Sequence, residues 1–201
     1  MKVLRWSAFL VLCVGLSGQT CLDERCVELV VGATVTAPFQ ARGSENVHQD
    51  TEVVDLIENA DIKQVLADNG FEDMVVAYIE SVFYRVTKQD AGAANRTVSG
   101  YVTVDGMNLI EYQAVAVNNP ALADWTPSPL EQPGVDYINS KLLDYFYDIF
   151  VNGIPDPPHP VVTFECAGTS TPQDIPTNFD WEVRVKLVLV GENCLEVVDP
   201  L

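Results

Sequence analysis

Between residues 74 and 117 three segments rich in β-branched and aromatic residues follow one another, with only a short polar turn between each. Nothing else in the chain limits its fold as strongly. Residues 74–87 carry Val75, Val76, Tyr78, Ile79, Val82, Phe83, Tyr84 and Val86. Residues 96–104 alternate Val98, Gly100, Val102 and Val104 against Thr97, Ser99, Tyr101 and Thr103. Residues 109–117 form the third segment, after Asp105-Gly106. A parallel pairing needs a crossover of about a dozen residues or more, so these connections predict an antiparallel meander. Large side chains on both faces of residues 74–87 predict a central strand, buried on both sides for part of its course.

The flanking sequence extends the pattern. Residues 26–39 read as one or two strands, with Gly32 as a bend and Pro38 as a stop. Residues 40–49 read as a polar loop and 52–57 as a short strand. Asn59 can cap a helix over 60–68, where Ile62, Val65 and Leu66 share one face; Asn69-Gly70 ends it. Residues 118–133 form a loop with Trp125 and four prolines. A longer helix is predicted over 134–151, with Tyr137, Ile138, Leu142, Tyr145, Phe146, Ile149 and Phe150 as its apolar stripe. Prolines at 155, 157, 158 and 160 forbid its continuation. Residues 161–166 and 181–190 read as strands, and 194–198 as a last short one. Many strands without βαβ alternation predict a mainly β fold, an antiparallel β-sandwich (Ig-like or jelly-roll-like) with one short and one longer helix.

The N-terminus carries an address. Lys2 and Arg5 precede an apolar run over 8–16, and the small residues Ser17-Gly18 follow. Residues 1–20 thus read as a secretory signal peptide, too short to span a bilayer, and 21–201 as a single exported β-sandwich domain. The expected location is periplasmic, cell-surface or extracellular, with no transmembrane segment in the mature chain. The 11 basic and 29 acidic residues give a net charge of −18. Two of the basic residues leave with the leader. That balance excludes nucleic acid as a partner, because polyanions are held by Lys and Arg. Of five cysteines, Cys13 lies in the leader. Cys21, Cys26, Cys166 and Cys194 remain, and two disulfides are expected in an oxidising compartment. Three pairings are open; Cys21–Cys26 is favoured by proximity in sequence, and Cys166–Cys194 because both sit on late strands that can be neighbours in an antiparallel sheet. A lipid anchor at Cys21 is disfavoured, because Gly18-Gln19-Thr20 departs from the lipoprotein pattern.

Val53-Val-Asp-Leu, Ile62-Lys-Gln, residues 79–87 and Val98-Ser-Gly-Tyr-Val-Thr-Val together resemble uncharacterised bacterial exported proteins and lipoproteins with a sandwich-like domain. The resemblance covers residues 51–104. It implies a cell-envelope setting and brings no activity and no catalytic residues.

Chemistry-bearing residues are few. His48 and His159 are the only histidines, both in segments that read as solvated loops, and no Gly-x-Ser-x-Gly elbow accompanies them. With the cysteines expected as disulfides, no thiol nucleophile is on offer, and no Cys/His spacing supports zinc. Glu80 and Glu111 stand out as acids within apolar strands, where a pleated strand places them outward. Asp68-Asn69-Gly70 with Glu72 and Asp73, and Asp105-Gly106-Met107-Asn108, gather oxygen atoms in turns; neither has the EF-hand spacing. Asn95-Arg96-Thr97 fits the N-glycosylation pattern. No catalytic residue, metal site or cofactor is assigned. The expected role is a non-enzymatic binding or structural module, with a protein or glycan at the cell surface as partner. The alternative is a carbohydrate-active or other hydrolase with paired carboxylates, which would need a cleft holding two acids beside exposed aromatics.

Overall fold

The structure is a computed structural model that describes residues 23–42, 47–71, 75–89, 96–117, 124–171 and 178–197, with side chains from 26 to 193. The leader, Cys21 and Asn95 lie outside these residues. The chain divides into a large unit, Glu28–Asn193, and a small one made of Met1–Val27 and Cys194–Leu201. In the small unit the described residues are two strand ends.

Among the described residues eight strands run in chain order: β1 (Asp23–Ala41), β2 (Val47–Asp55), β3 (Val76–Gln89), β4 (Thr97–Val104), β5 (Met107–Ala116), β6 (Thr126–Ser128), β7 (Val161–Thr171) and β8 (Phe179–Val197). Helices α1 (Leu56–Asn59) and α2 (Ile62–Asn69) follow β2, and α3 (Gln132–Phe150) precedes β7. The strands form two four-stranded antiparallel sheets, ordered β1-β8-β3-β6 and β2-β7-β4-β5. The fold is a mainly β, two-sheet architecture. No helix of the described residues is long and apolar enough to cross a membrane.

The expected three-strand meander is corrected. β3 pairs with β8 and β6 in the first sheet, whereas β4 pairs with β5 and β7 in the second. Of the meander only the β4–β5 hairpin remains. Its two-residue turn has φ 45° at Asp105 and 83° at Gly106. Both angles are positive, as a type I′ hairpin requires.

Alternation fills the space between the sheets. Val35, Ala37 and Phe39 of β1, Val183, Val185, Leu187 and Leu189 of β8, and Val162, Phe164 and Cys166 of β7 are all buried. The two-sided apolar pattern of β3 has a different cause from the one expected. Its register with β8 jumps from Ile79–Leu187 to Ser81–Lys186, so Glu80 is an extra, bulged residue. A bulge inverts which residues face inward. Ala77 and Ile79 are buried before it and Val82 and Val86 after it. Val76 and Tyr78, at 45% and 42% exposure, face out.

Helix α3 contacts both β3 of one sheet and β5 of the other. Where β6 stops, Ile79 N–H donates to Asn139 Oδ1 at 2.9 Å. At its start, Glu131 N–H donates to Leu109 O at 2.9 Å. Gly134 then lies so near β5 that a Cβ would sit 2.6 Å from Asn108 O. On the opposite side β1 is an edge strand, served by side chains. Thr36 N–H donates to Asn59 Oδ1 at 2.7 Å, and Asn59 Nδ2 returns to Thr36 O at 3.1 Å. Asn59 is therefore spent on the sheet and does not cap α2. Asp55 caps α1, and α2 begins after Asp61, in the left-handed region at φ 54°.

Val135, Ile138, Leu142, Tyr145 and Phe146 of α3 are buried, so the stripe is core. Phe146→Ala should lower stability by about 3–5 kcal/mol, the range for a buried Phe truncation. Urea unfolding measures it, and a loss below about 1 kcal/mol would place the ring at the surface.

Candidate functional site

The second sheet ends in β5, and β5 is irregular. Its register with β4 jumps from Val98–Val115 to Gly100–Tyr112, leaving Gln113 and Ala114 opposite Ser99. Ala114 has φ 50°, a left-handed conformation that costs a non-glycine residue roughly 1–3 kcal/mol. Its N–H is satisfied by Ser99 Oγ at 2.9 Å.

Outside this bulge lies an open groove in two adjoining lobes, of about 580 and 370 Å³. Glu111, Gln113 and Glu131 line both lobes. Ser99, Tyr101 and Asn108 also line the first lobe, and Pro127 and Pro129 border the second. Tyr101 and Glu111 are register partners, and Tyr101 is 48% exposed. Gln113 Nε2 donates to Glu111 Oε1 at 2.8 Å, which fixes that carboxylate. Glu131 arrives from the start of α3. Among the described residues, no Lys or Arg lines either lobe.

Tyr112 forms the floor, and its hydroxyl reaches into the core. Gly100 and Gly168 make room for it; a Cβ on either would lie 2.6 or 2.7 Å from that oxygen. Tyr112 OH donates to Ala167 O at 3.3 Å and lies 2.7 Å from His48 Nε2 and 3.7 Å from Cys166 Sγ. His48 Nε2 and Tyr112 OH share a hydrogen bond, and among the described residues His48 Nδ1 has no partner. Burial lowers His48 to about 4, raises Tyr112 well above its ordinary value, and pushes Cys166 up to about 12. All three groups are neutral at pH 7.

Several sequence expectations are corrected here. His48 is not in a solvated loop. It lies on β2, 2% exposed, because β2 starts at Val47 and its alternation turns His48 inward. His159 is not free either: its Nδ1 lies 2.6 Å from Asp55 Oδ2. Cys166 is a free, buried thiol, so the Cys166–Cys194 pairing is not formed. Cys166 points from β7 into the core against Tyr112. Cys26 is disulfide-bonded. The free thiol is no nucleophile, since burial keeps it protonated.

Of the two acids the sequence singled out, Glu111 lines the groove and Glu80 sits in the β3 bulge of the other sheet. Trp125 lies against the Arg184 and Arg85 guanidinium groups, 3.8 and 4.4 Å from its ring centre, and does not line the groove. Asp105 accepts from Thr163 N and Tyr137 OH, so its carboxylate ties the hairpin to its neighbours. Glu131, Gln113 and Tyr101 carry no local signal, because the bulge that gathers them is a tertiary feature. No family model matches the chain, and no curated protein matches it.

Two outcomes follow. The folded state holds His48 below its unfolded value of 6.5, so it binds fewer protons than the unfolded chain. The stability this gives is present above pH 6.5 and falls as pH drops towards about 4. Between pH 7 and about pH 5 it should amount to roughly 2 kcal/mol, lost from the wild type and not from His48→Gln. Urea unfolding at both pH values shows the difference. Separately, iodoacetamide should label Cys166 only after denaturation; rapid labelling of native protein would mean that the core is open there.

Proposed function

We propose that the chain is an exported β-sandwich module that binds a hydroxyl-rich ligand, a glycan segment, in the groove over the β5 bulge. The observation that carries this reading is the convergence of Glu111, Gln113 and Glu131 beside the exposed Tyr101. Carboxylates and amides offer paired acceptors and donors that suit vicinal hydroxyls, and an aromatic face suits the C–H face of a sugar ring. The acidic lining, with no Lys or Arg among its described residues, disfavours an anionic ligand. A strand-adding peptide fits less well, because the bulge at Gln113–Ala114 interrupts the ladder on the β5 edge. The basic, apolar and small-residue pattern of residues 1–20 supports export, and the net charge of −18 argues against nucleic acid.

A second reading is favoured by one feature. Glu111 and Glu131 share the groove, and two carboxylates are what glycoside hydrolysis uses. Calorimetry against neutral oligosaccharides, followed by chromatography of the recovered sugar, separates the two. The module should bind and return the sugar intact. Glu111→Gln and Tyr101→Ala should each weaken binding by about tenfold, roughly 1.4 kcal/mol, without moving the urea midpoint. Shortened sugar would establish the hydrolase. No binding across a broad glycan set would overturn both.

A further inference from the structure

Away from the groove, three potential metal ligands meet where β2 ends and β7 begins. Asp55 and Val161 are register partners there. His159 stands two residues before β7, between Pro158 and Pro160. Proline fixes φ, and Leu56 N–H donates to Pro160 O at 3.1 Å, so the segment is pinned on both counts. The imidazole is further held edge-on to Tyr145, with ring centres 5.9 Å apart. Asp55 is equally fixed. Its Oδ1 accepts from Ile57 N at 2.9 Å and Glu58 N at 3.0 Å, and its Oδ2 meets His159 Nδ1 at 2.6 Å. Glu58 follows three residues later with an exposed side chain. One ligand atom from each of Asp55, Glu58 and His159 lies within 4.8 Å of the others.

We propose that Asp55, Glu58 and His159 bind a divalent first-row transition ion, with Zn²⁺ as the representative. The donor set decides the class. An imidazole nitrogen disfavours Ca²⁺ and Mg²⁺, which take oxygen ligands, and two carboxylates balance a charge of +2. Ligands near 2.1 Å from a tetrahedral ion stand about 3.4 Å apart. Asp55 Oδ2 and His159 Nδ1, now 2.6 Å apart in a hydrogen bond, must part to about that spacing, with the shared proton released as the ion binds, while the exposed Glu58 side chain moves in. Three protein ligands leave a fourth position for water or a bound molecule. Asp55 is ionised at neutral pH, as ligation requires. Burial raises its carboxyl, but the Glu58 N–H, His159 and the Ile57 N–H together hold it below its ordinary value. Lys63, whose charge reaches Glu58, is already engaged by Asp156 at 2.9 Å. Asp55 and His159 stand 104 positions apart, which is why no local spacing announces the set.

The test is calorimetric titration of the full chain with ZnCl₂ at neutral pH, with and without an excess of MgCl₂. One Zn²⁺ per chain should bind and resist Mg²⁺. Glu58→Gln and His159→Gln should each lose at least about tenfold in affinity. Glu58 is exposed, so Glu58→Gln should keep the wild-type urea midpoint without metal, and its lost binding then reports ligation rather than unfolding. Three results would overturn the site: no saturable binding at millimolar Zn²⁺, displacement of Zn²⁺ by Mg²⁺, or unchanged affinity in Glu58→Gln.

Discussion

A pair of stacked sheets has two open sides, and the molecule depends on how those sides are closed. The facing apolar rows of β1, β8, β7 and β4 supply the hydrophobic drive, but they leave edge strands with unpaired backbone groups. On one side α3 lies across β3 and β5, lends the Asn139 side chain to Ile79, and buries Phe146 between the layers. On the other side Asn59 pairs with Thr36 as a strand residue would, and Asp50 Oδ2 accepts from Gln40 N at 2.5 Å. Each closure replaces a missing strand by a side chain or a helix face, so each departs from regular sheet geometry.

Both candidate sites arise from those departures. The groove exists because β5 is an edge strand with room to bulge, and because α3 begins beside it and delivers Glu131. The strain at Ala114 is offset locally by the Ser99 bond, and Tyr112 below it is anchored to His48. The groove floor is thus tied to a buried polar cluster. The cluster itself is tolerated because Gly100 and Gly168 remove two side chains from its path. The Asp55 cluster likewise sits where β2 must turn into α1, and its capping bonds orient a carboxylate towards His159.

The sandwich was legible because alternation is a short-range signal. The β4–β5 turn could be read from Asp105-Gly106 alone, since only certain residues accept two positive φ angles. Pairing between distant strands was not legible. Residues 74–87 and 96–104 looked like neighbours, yet they belong to different sheets, and no local pattern distinguishes a hairpin from a crossing between layers. The Glu80 bulge imitated two-sided burial for a similar reason: one extra residue moves apolar side chains from odd to even positions. At the groove, Glu111 could be singled out as an acid in an apolar strand. Its companions Gln113, Tyr101 and Glu131 are ordinary surface residues until the bulge and α3 assemble them.

The two histidines show most directly why composition could not decide the chemistry. Both were flanked by polar or proline-rich sequence, and both looked solvated. His48 follows Val47 into a strand, and alternation alone turns it inward, between Phe179 and Tyr112. With no carboxylate among its partners there, burial favours the neutral ring, and the only task left to it is to hold a hydroxyl. His159 is equally constrained in position, yet its constraint comes from prolines and it faces the carboxylate of Asp55. An imidazole held in place beside a carboxylate needs little reorganisation to share an ion with it. Burial beside a phenol and fixation beside a carboxylate thus send the same side chain to opposite ends of its chemistry. For that reason the interior histidine belongs to the stability of the groove, and the proline-framed one belongs to a site.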